Sequence, residues 1–330
     1  MDKNIARIYK KVIRKIEIII NKRHAYEYPA EKGGWKKQGA VFGDAITGSV
    51  FDPQVIYHNG KYRMYVSERK RHGILVTESM DGEHWEDTRI ALECGQAGDW
   101  DEKVNRAHVC LINGMWWMWY TGQKDGKSEI GVAQSRDGYT FVRIRKESVM
   151  TAEYPFEKMA VMNPCVIWDD ICNKFKMWYA AGEQYEPDVI CYATSEDGIL
   201  WEKTDKNPIF VHSDYEYDKC KVGGGTVFFY RNVYYLFYIG YQNVDTARIC
   251  MAVSLNGVDE WKRIKENPIL SPERGNWDAE AVYKASVYVD EKDGKMKLWY
   301  NGRKKYLERI GYAINDIKEV TKKVGEILYE

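Results

Sequence analysis

The sequence predicts an all-β fold, a five-bladed β-propeller preceded by a short N-terminal amphipathic helix. Two observations carry this prediction. An aromatic doublet or its equivalent recurs five times, as Met64-Tyr65, Trp119-Tyr120, Trp178-Tyr179, Phe237-Tyr238 and Trp299-Tyr300, with the tyrosines 55, 59, 59 and 62 residues apart. A hairpin signal keeps the same beat at Asp81-Gly82, Asp137-Gly138, Asp197-Gly198, Asn256-Gly257 and, imperfectly, Asn315-Asp316. Asp-Gly and Asn-Gly supply the positive φ that tight hairpins need. A period of this length with strand patterns and no long helices fits four strands per blade.

Taken in chain order, Ile5, Ile8, Val12, Ile16, Ile19 and Ile20 fall near helical spacing among Lys10, Lys11, Arg14, Lys15, Lys22 and Arg23. This predicts a basic amphipathic helix within residues 4–22, part of a helical extension over 1–30 that precedes a propeller over 31–330. The helix either packs on the propeller flank or at a dimer contact, or makes a peripheral membrane contact through its basic residues. Trp35-Lys36-Lys37 resembles the outer-strand openings Trp201-Glu202-Lys203 and Trp261-Lys262-Arg263, while the fifth repeat lacks such a tryptophan. Residues near 35–42 are therefore expected to complete the last blade, with Ile317–Lys323 as the other candidate. Trp85, Phe141, Trp201 and Trp261 follow the turns and are expected between neighbouring blades.

Composition removes several function classes. Lys and Arg number 49 and Asp and Glu 49, so no global field favours nucleic acid. The 25 Tyr and 12 Trp against 9 Phe suit both strands and sugar-stacking surfaces. Seven cysteines with no Cys-x-x-Cys pair read as free thiols in a reducing compartment. With no apolar run long enough for a signal segment or a span, the expected location is the cytoplasm. No metal-ligand spacing and no cofactor motif is present, so neither a metal nor a cofactor is expected.

The innermost strands of a propeller converge on its axis, and their first residues line the funnel. By repeat alignment these are Asp52, Arg106, Asn163, Gly224 and Lys284, with Gln54, His108, Thr226 and Ser286 two residues on expected to face similarly. One acid among cationic or cation-capable groups suits an anionic ligand group, a phosphate or a sugar carboxylate. The loops after the doublets place Gln123, Glu183 and Gln242 as polar sugar-binding tips. Four acids that follow aromatics, Asp101, Glu157, Asp218 and Asp278, recur in four of the blades and are expected to be blade scaffolding rather than a unique catalyst.

The stretch Phe51-Asp52-Pro53-Gln54 resembles the first blade of five-bladed glycosidases such as glycoside hydrolase family 43, and the overall repeat also resembles families 32 and 130. The resemblance implies a glycosidic-bond-cleaving enzyme with Asp52 as general base. It further implies a second Asp and a Glu where this chain has Asn163 and Gly224, and, for family 130, an Asp where it has Asn105-Arg106. Glycoside hydrolysis uses two carboxyl groups roughly 5 to 9.5 Å apart, and Glu280 and Glu183 are the candidates for the second. A phosphorylase needs one protein acid, because phosphate is the nucleophile. The expected ligand is an oligosaccharide or glycoside. Hydrolysis, phosphorolysis with inorganic phosphate, and a non-catalytic glycan-binding propeller all remain open at this point.

Overall fold

The computed structural model describes residues 3–44, 48–71 and 73–329. The side chains of Ile5, Ile8, Lys10, Lys11 and Lys22 lie outside the described residues. Helix α1 (Lys3–Arg23) leads through a short 3-10 turn (His24–Tyr26) into twenty strands and a closing helix α2 (Ile317–Leu328). The strands form five blades. Their innermost members are Val50–His58, Lys103–Ile112, Ala160–Asp169, Lys221–Tyr230 and Ala281–Asp290.

The ring closes as the tryptophan pattern predicts. Lys36–Phe42 pairs antiparallel with the last strand, Leu307–Asp316, and so becomes the outer strand of blade five. Ile317–Lys323, the other candidate, is instead helical. Ile317, Val320 and Val324 follow helical spacing and bury into the core between blades four and five.

The hydrophobic core is divided among the blade contacts. Separate clusters lie between blades one and two, two and three, three and four, four and five, and five and one. Each blade thus packs only on its neighbours, which lets one domain exceed the usual size of a single core.

Two recurring polar devices lock this arrangement. The doublet tryptophans donate their indole N–H to the turn glycine of the next blade: Trp119 to Gly198 at 2.9 Å, Trp178 to Gly257 at 2.6 Å, and Trp299 to Gly82 at 2.7 Å across the closure. Phe237 has no N–H to give, and the turn it would reach is the imperfect Asn315-Asp316. The repeated acids form the second device. Asp101 accepts from Tyr120 and Arg143, Glu157 from Tyr179 and Lys203, and Asp218 from Tyr238 and Arg263. Asp278 accepts from Tyr300 and from Lys37, so the N-terminal strand supplies the cation of blade five.

Helix α1 sits on blade four. Arg14 makes a paired contact with Asp245 at 2.9 and 2.8 Å, Asn21 donates to the same carboxylate, and the Asn21 carbonyl accepts from Thr246. Among the described residues no helix is long and apolar enough to cross a membrane.

Candidate functional site

Near its start, each innermost strand breaks register with its partner: between Phe51 and Gln54, Asn105 and His108, Met162 and Cys165, Gly223 and Thr226, and Tyr283 and Ala285. Within each break one residue adopts a left-handed backbone. These are Asp52 (φ 54°), Arg106 (54°), Asn163 (54°), Gly224 (57°) and Lys284 (46°). They are the five positions that the repeat alignment brings to the funnel. A bulge bends the strand and re-aims one side chain, at a cost of about 1–2 kcal/mol for each non-glycine residue. The preceding blade helps to hold the bulges. The N–H of Asp52 donates to Asn301 Oδ1, that of Arg106 to Ser67 Oγ, and that of Asn163 to Thr121 Oγ1, at 2.9, 2.9 and 3.1 Å.

The residues two further on, Gln54, His108, Thr226 and Ser286, do not line the cavity described below, which corrects the expectation that they face it with the ring. Instead this layer stitches blade to blade. Gln54 donates to Val109 O, His108 Nε2 meets Val166 O at 2.9 Å, Cys165 Sγ donates to Val227 O, Thr226 donates to Ala285 O, and Ser286 accepts from Val55 N. Burial pushes the His108 pKa down to about 3, so the ring is neutral and cannot serve as a cation.

Above the ring lies a cavity of about 490 Å³. Asp52, Arg106, Asn163 and Gln123 line it. Lys284 does not, because it is buried beneath, with its Nζ near Gly225 O and Thr226 Oγ1. Gly224 offers no side chain, and Ile239 occupies that space: a Cβ there would lie 2.4 Å from Ile239 Cδ1.

Asp52 is buried and pairs with Arg106, Nε to Oδ2 at 3.3 Å. Burial raises its pKa above the ordinary aspartate value; Arg106 and Lys284 oppose the shift and Glu308 adds to it. Glu308 is a second buried carboxylate of the same cavity. Arg69 donates to its Oε2 from Nε at 2.9 Å and from Nη2 at 2.5 Å, and the Tyr283 hydroxyl donates to Oε1. The other wall is polar and internally hydrogen-bonded. Asn105 donates to Gln123 Oε1 at 2.8 Å, and Gln123 donates to Ser128. Asn163 Oδ1 is buried with no partner among the described residues, an acceptor that a ligand hydroxyl would satisfy.

Besides His108 and Lys284, three more expected site residues lie elsewhere. Glu183 is half exposed and pairs with Lys158 at 3.0 Å. Glu280 does not line the cavity; its backbone N–H donates to Arg303 O. Gln242 reaches away from the cavity to Glu27 at 2.7 Å, joining the N-terminal extension to blade four. The one-acid character read for the ring also changes once the walls are counted. Asp52, Glu102, Asp125, Glu186, Asp245 and Glu308 stand against Arg69, Lys103, Arg106, Lys124 and Arg303.

Sequence reasoning did not reach Glu308, Arg69, Tyr283 or Arg303. For Glu308 a signal existed. Two residues before an isoleucine near the start of the third strand of four blades, the chain has Ser128, Asp188, Ala247 and Glu308, a position that changes chemistry from blade to blade.

A family model of glycosyl hydrolases family 43 matches residues 45–316. A β-1,2-mannobiose phosphorylase of Thermoanaerobacter sp. (strain X514) is 24% identical over 232 residues, covering 52% of this chain and 75% of that protein. Among solved structures, a thermostable family-43 glycoside hydrolase superposes with a TM-score of 0.64 at 18% identity, covering 84% of this chain and 89% of the other. A β-1,2-mannobiose phosphorylase from Listeria innocua superposes with a TM-score of 0.64 at 14% identity, covering 88% and 93%. At these identities the structural likeness establishes the fold.

Proposed function

The chain belongs to glycosyl hydrolases family 43, and from that premise we propose that its axial cavity cleaves a glycosidic bond with Asp52 as the proton-carrying carboxyl. The observation that carries this reading is the buried Asp52, placed by a strained bulge, its proton retained to higher pH by burial and by Glu308. A general acid needs that environment. In the proposed step Asp52 gives its proton to the glycosidic oxygen, the bond from that oxygen to the anomeric carbon breaks, and water adds to the carbon while giving up a proton that restores the Asp52 carboxyl.

The resemblance assigns Asp52 the base role; its burial favours the acid role. Glu183 and Glu280, away from the cavity, give way to Glu308 as the second carboxylate. Both Glu308 oxygens are engaged by Arg69 and Tyr283, so its part is to set the charge around Asp52 rather than to carry a proton. Arg106, Asn163 and Gln123 bind the sugar, and Lys284 acts from below as a counter-charge. The unpartnered Asn163 acceptor supports a hydroxyl-rich ligand.

A second reading, phosphorolysis, draws on Arg69, Arg106 and Arg303 in the cavity and on the phosphorylase relative. Here inorganic phosphate takes the place of water at the anomeric carbon. Residues 1–30 form the N-terminal extension of this reading, its described part seated on blade four, and the cysteines, free of disulfides, support a cytoplasmic location.

The test is product analysis by mass spectrometry on a panel of oligosaccharides and aryl glycosides, with and without phosphate, for wild type and Asp52→Asn. Free sugar that disappears in the variant supports hydrolysis. Sugar phosphate formed only with phosphate supports the second reading. No turnover across the panel, with glycan binding retained, would turn the reading toward a binding propeller.

A further inference from the structure

Helix α1 is amphipathic in the wrong direction for a helix that serves only to pack. At about 100° per residue, Val12, Ile13, Ile16, Ile19 and Ile20 fall on one contiguous face, opposite Arg14 and Asn21. The polar side holds the propeller through Asp245. The apolar side is left in solvent, with exposure from 38% at Ile13 to 59% at Ile19. Water alone does not favour such a face, so something covers it.

Charge selects the occupant. Residues 3–23 carry eight Lys and Arg against Glu17 alone, a net +7 within a chain of formal charge zero. Laying this face against that of a second copy would bring two such helices within about a Debye length of 8–10 Å, where they repel. An anionic lipid surface meets both features, since its headgroups attract the cations while the isoleucines enter the acyl boundary.

We propose that α1 docks this protein on an anionic membrane surface. Asp245, the residue that Arg14 and Asn21 grip, lines the axial cavity, so the docking helix is fastened to the cavity rim. A glycan carried on that membrane is then the substrate class, a clause that rests on the glycoside-cleaving reading above.

The experiment is flotation of the full chain with vesicles of mixed phosphatidylcholine and phosphatidylglycerol, and of phosphatidylcholine alone. Ile16→Gln/Ile19→Gln and Lys15→Gln/Arg23→Gln run in parallel, since glutamine keeps helix propensity. Wild type is expected to float with the anionic vesicles only. The apolar variant should lose at least about tenfold in partitioning, and the charge variant about fivefold per basic residue removed. Absence of flotation on anionic vesicles, or flotation indifferent to both variants, overturns the proposal. So does a dimer in sedimentation that Ile16→Gln/Ile19→Gln dissociates, because the face would then belong to a second copy. Turnover of a soluble aryl glycoside is measured alongside. Flotation without turnover leaves the docking standing and removes the reading of the cavity; turnover without flotation does the reverse.

Discussion

The outer half of each blade and its axial end obey opposite rules. In four blades the outer half repeats one device with nearly constant chemistry, an acid that accepts from the doublet tyrosine and from a cation of the outer strand, as Asp218 does from Tyr238 and Arg263. At the axial end one strained backbone conformation recurs in all five blades, yet its side chains are Asp52, Arg106, Asn163, no side chain at Gly224, and Lys284. Where geometry and chemistry repeat together, the residues hold the ring. Where geometry repeats and chemistry diverges, the scaffold has been kept and the side chains put to separate uses.

The sharpest way to break this comparison is to exchange one residue from each class. Asp52→Asn should lower kcat/KM about 10²–10⁴-fold with a small change in melting temperature, because the isosteric amide keeps an oxygen beside Arg106 and the left-handed backbone suits asparagine. Asp218→Ala should do the reverse, costing about 3–5 kcal/mol because Arg263 is left without its carboxylate. Thermal unfolding and steady-state kinetics on both variants check the pair. If Asp218→Ala abolishes turnover without loss of stability, the division fails.

The charge setting of Asp52 gives a sharper version. Its protonated form is lost as pH rises through a pKa held above the ordinary aspartate value, so activity falls on the alkaline side. Glu308→Gln removes a charge that raises this pKa and should move the alkaline limb to lower pH. Arg106→Met removes one that lowers it and should move the limb to higher pH. The kcat/KM profile against pH for the two variants tests the signs; shifts in the same direction would refute the proposed roles.

Smaller effects test the ring itself. Gly224→Ala places a Cβ against Ile239 in a left-handed conformation, and a loss of about 1–3 kcal/mol is expected in denaturant unfolding. Smallest is Trp299→Phe, which removes the indole N–H bond to Gly82 across the closure and should cost about 1 kcal/mol, provided the phenyl ring fills the space as Phe237 does in blade four.

What the sequence determined by itself was the repeat. The turns, doublets and repeated acids each recur at short range from their neighbours, so spacing alone predicts five blades, the closure by Trp35-Lys36-Lys37 and the scaffold role of Asp101, Glu157, Asp218 and Asp278. It also brought Asp52, Arg106 and Asn163 to one ring, since that ring is a property of the alignment of repeats. The tertiary structure decided the rest. His108 went to a contact with the next blade and not to the cavity wall. The second carboxylate, Glu308, reached the cavity from a third strand, held by Arg69 of blade one and by Tyr283 of the innermost strand of its own blade. No local pattern encodes such a meeting, because it depends on where the blades stand when the ring is closed.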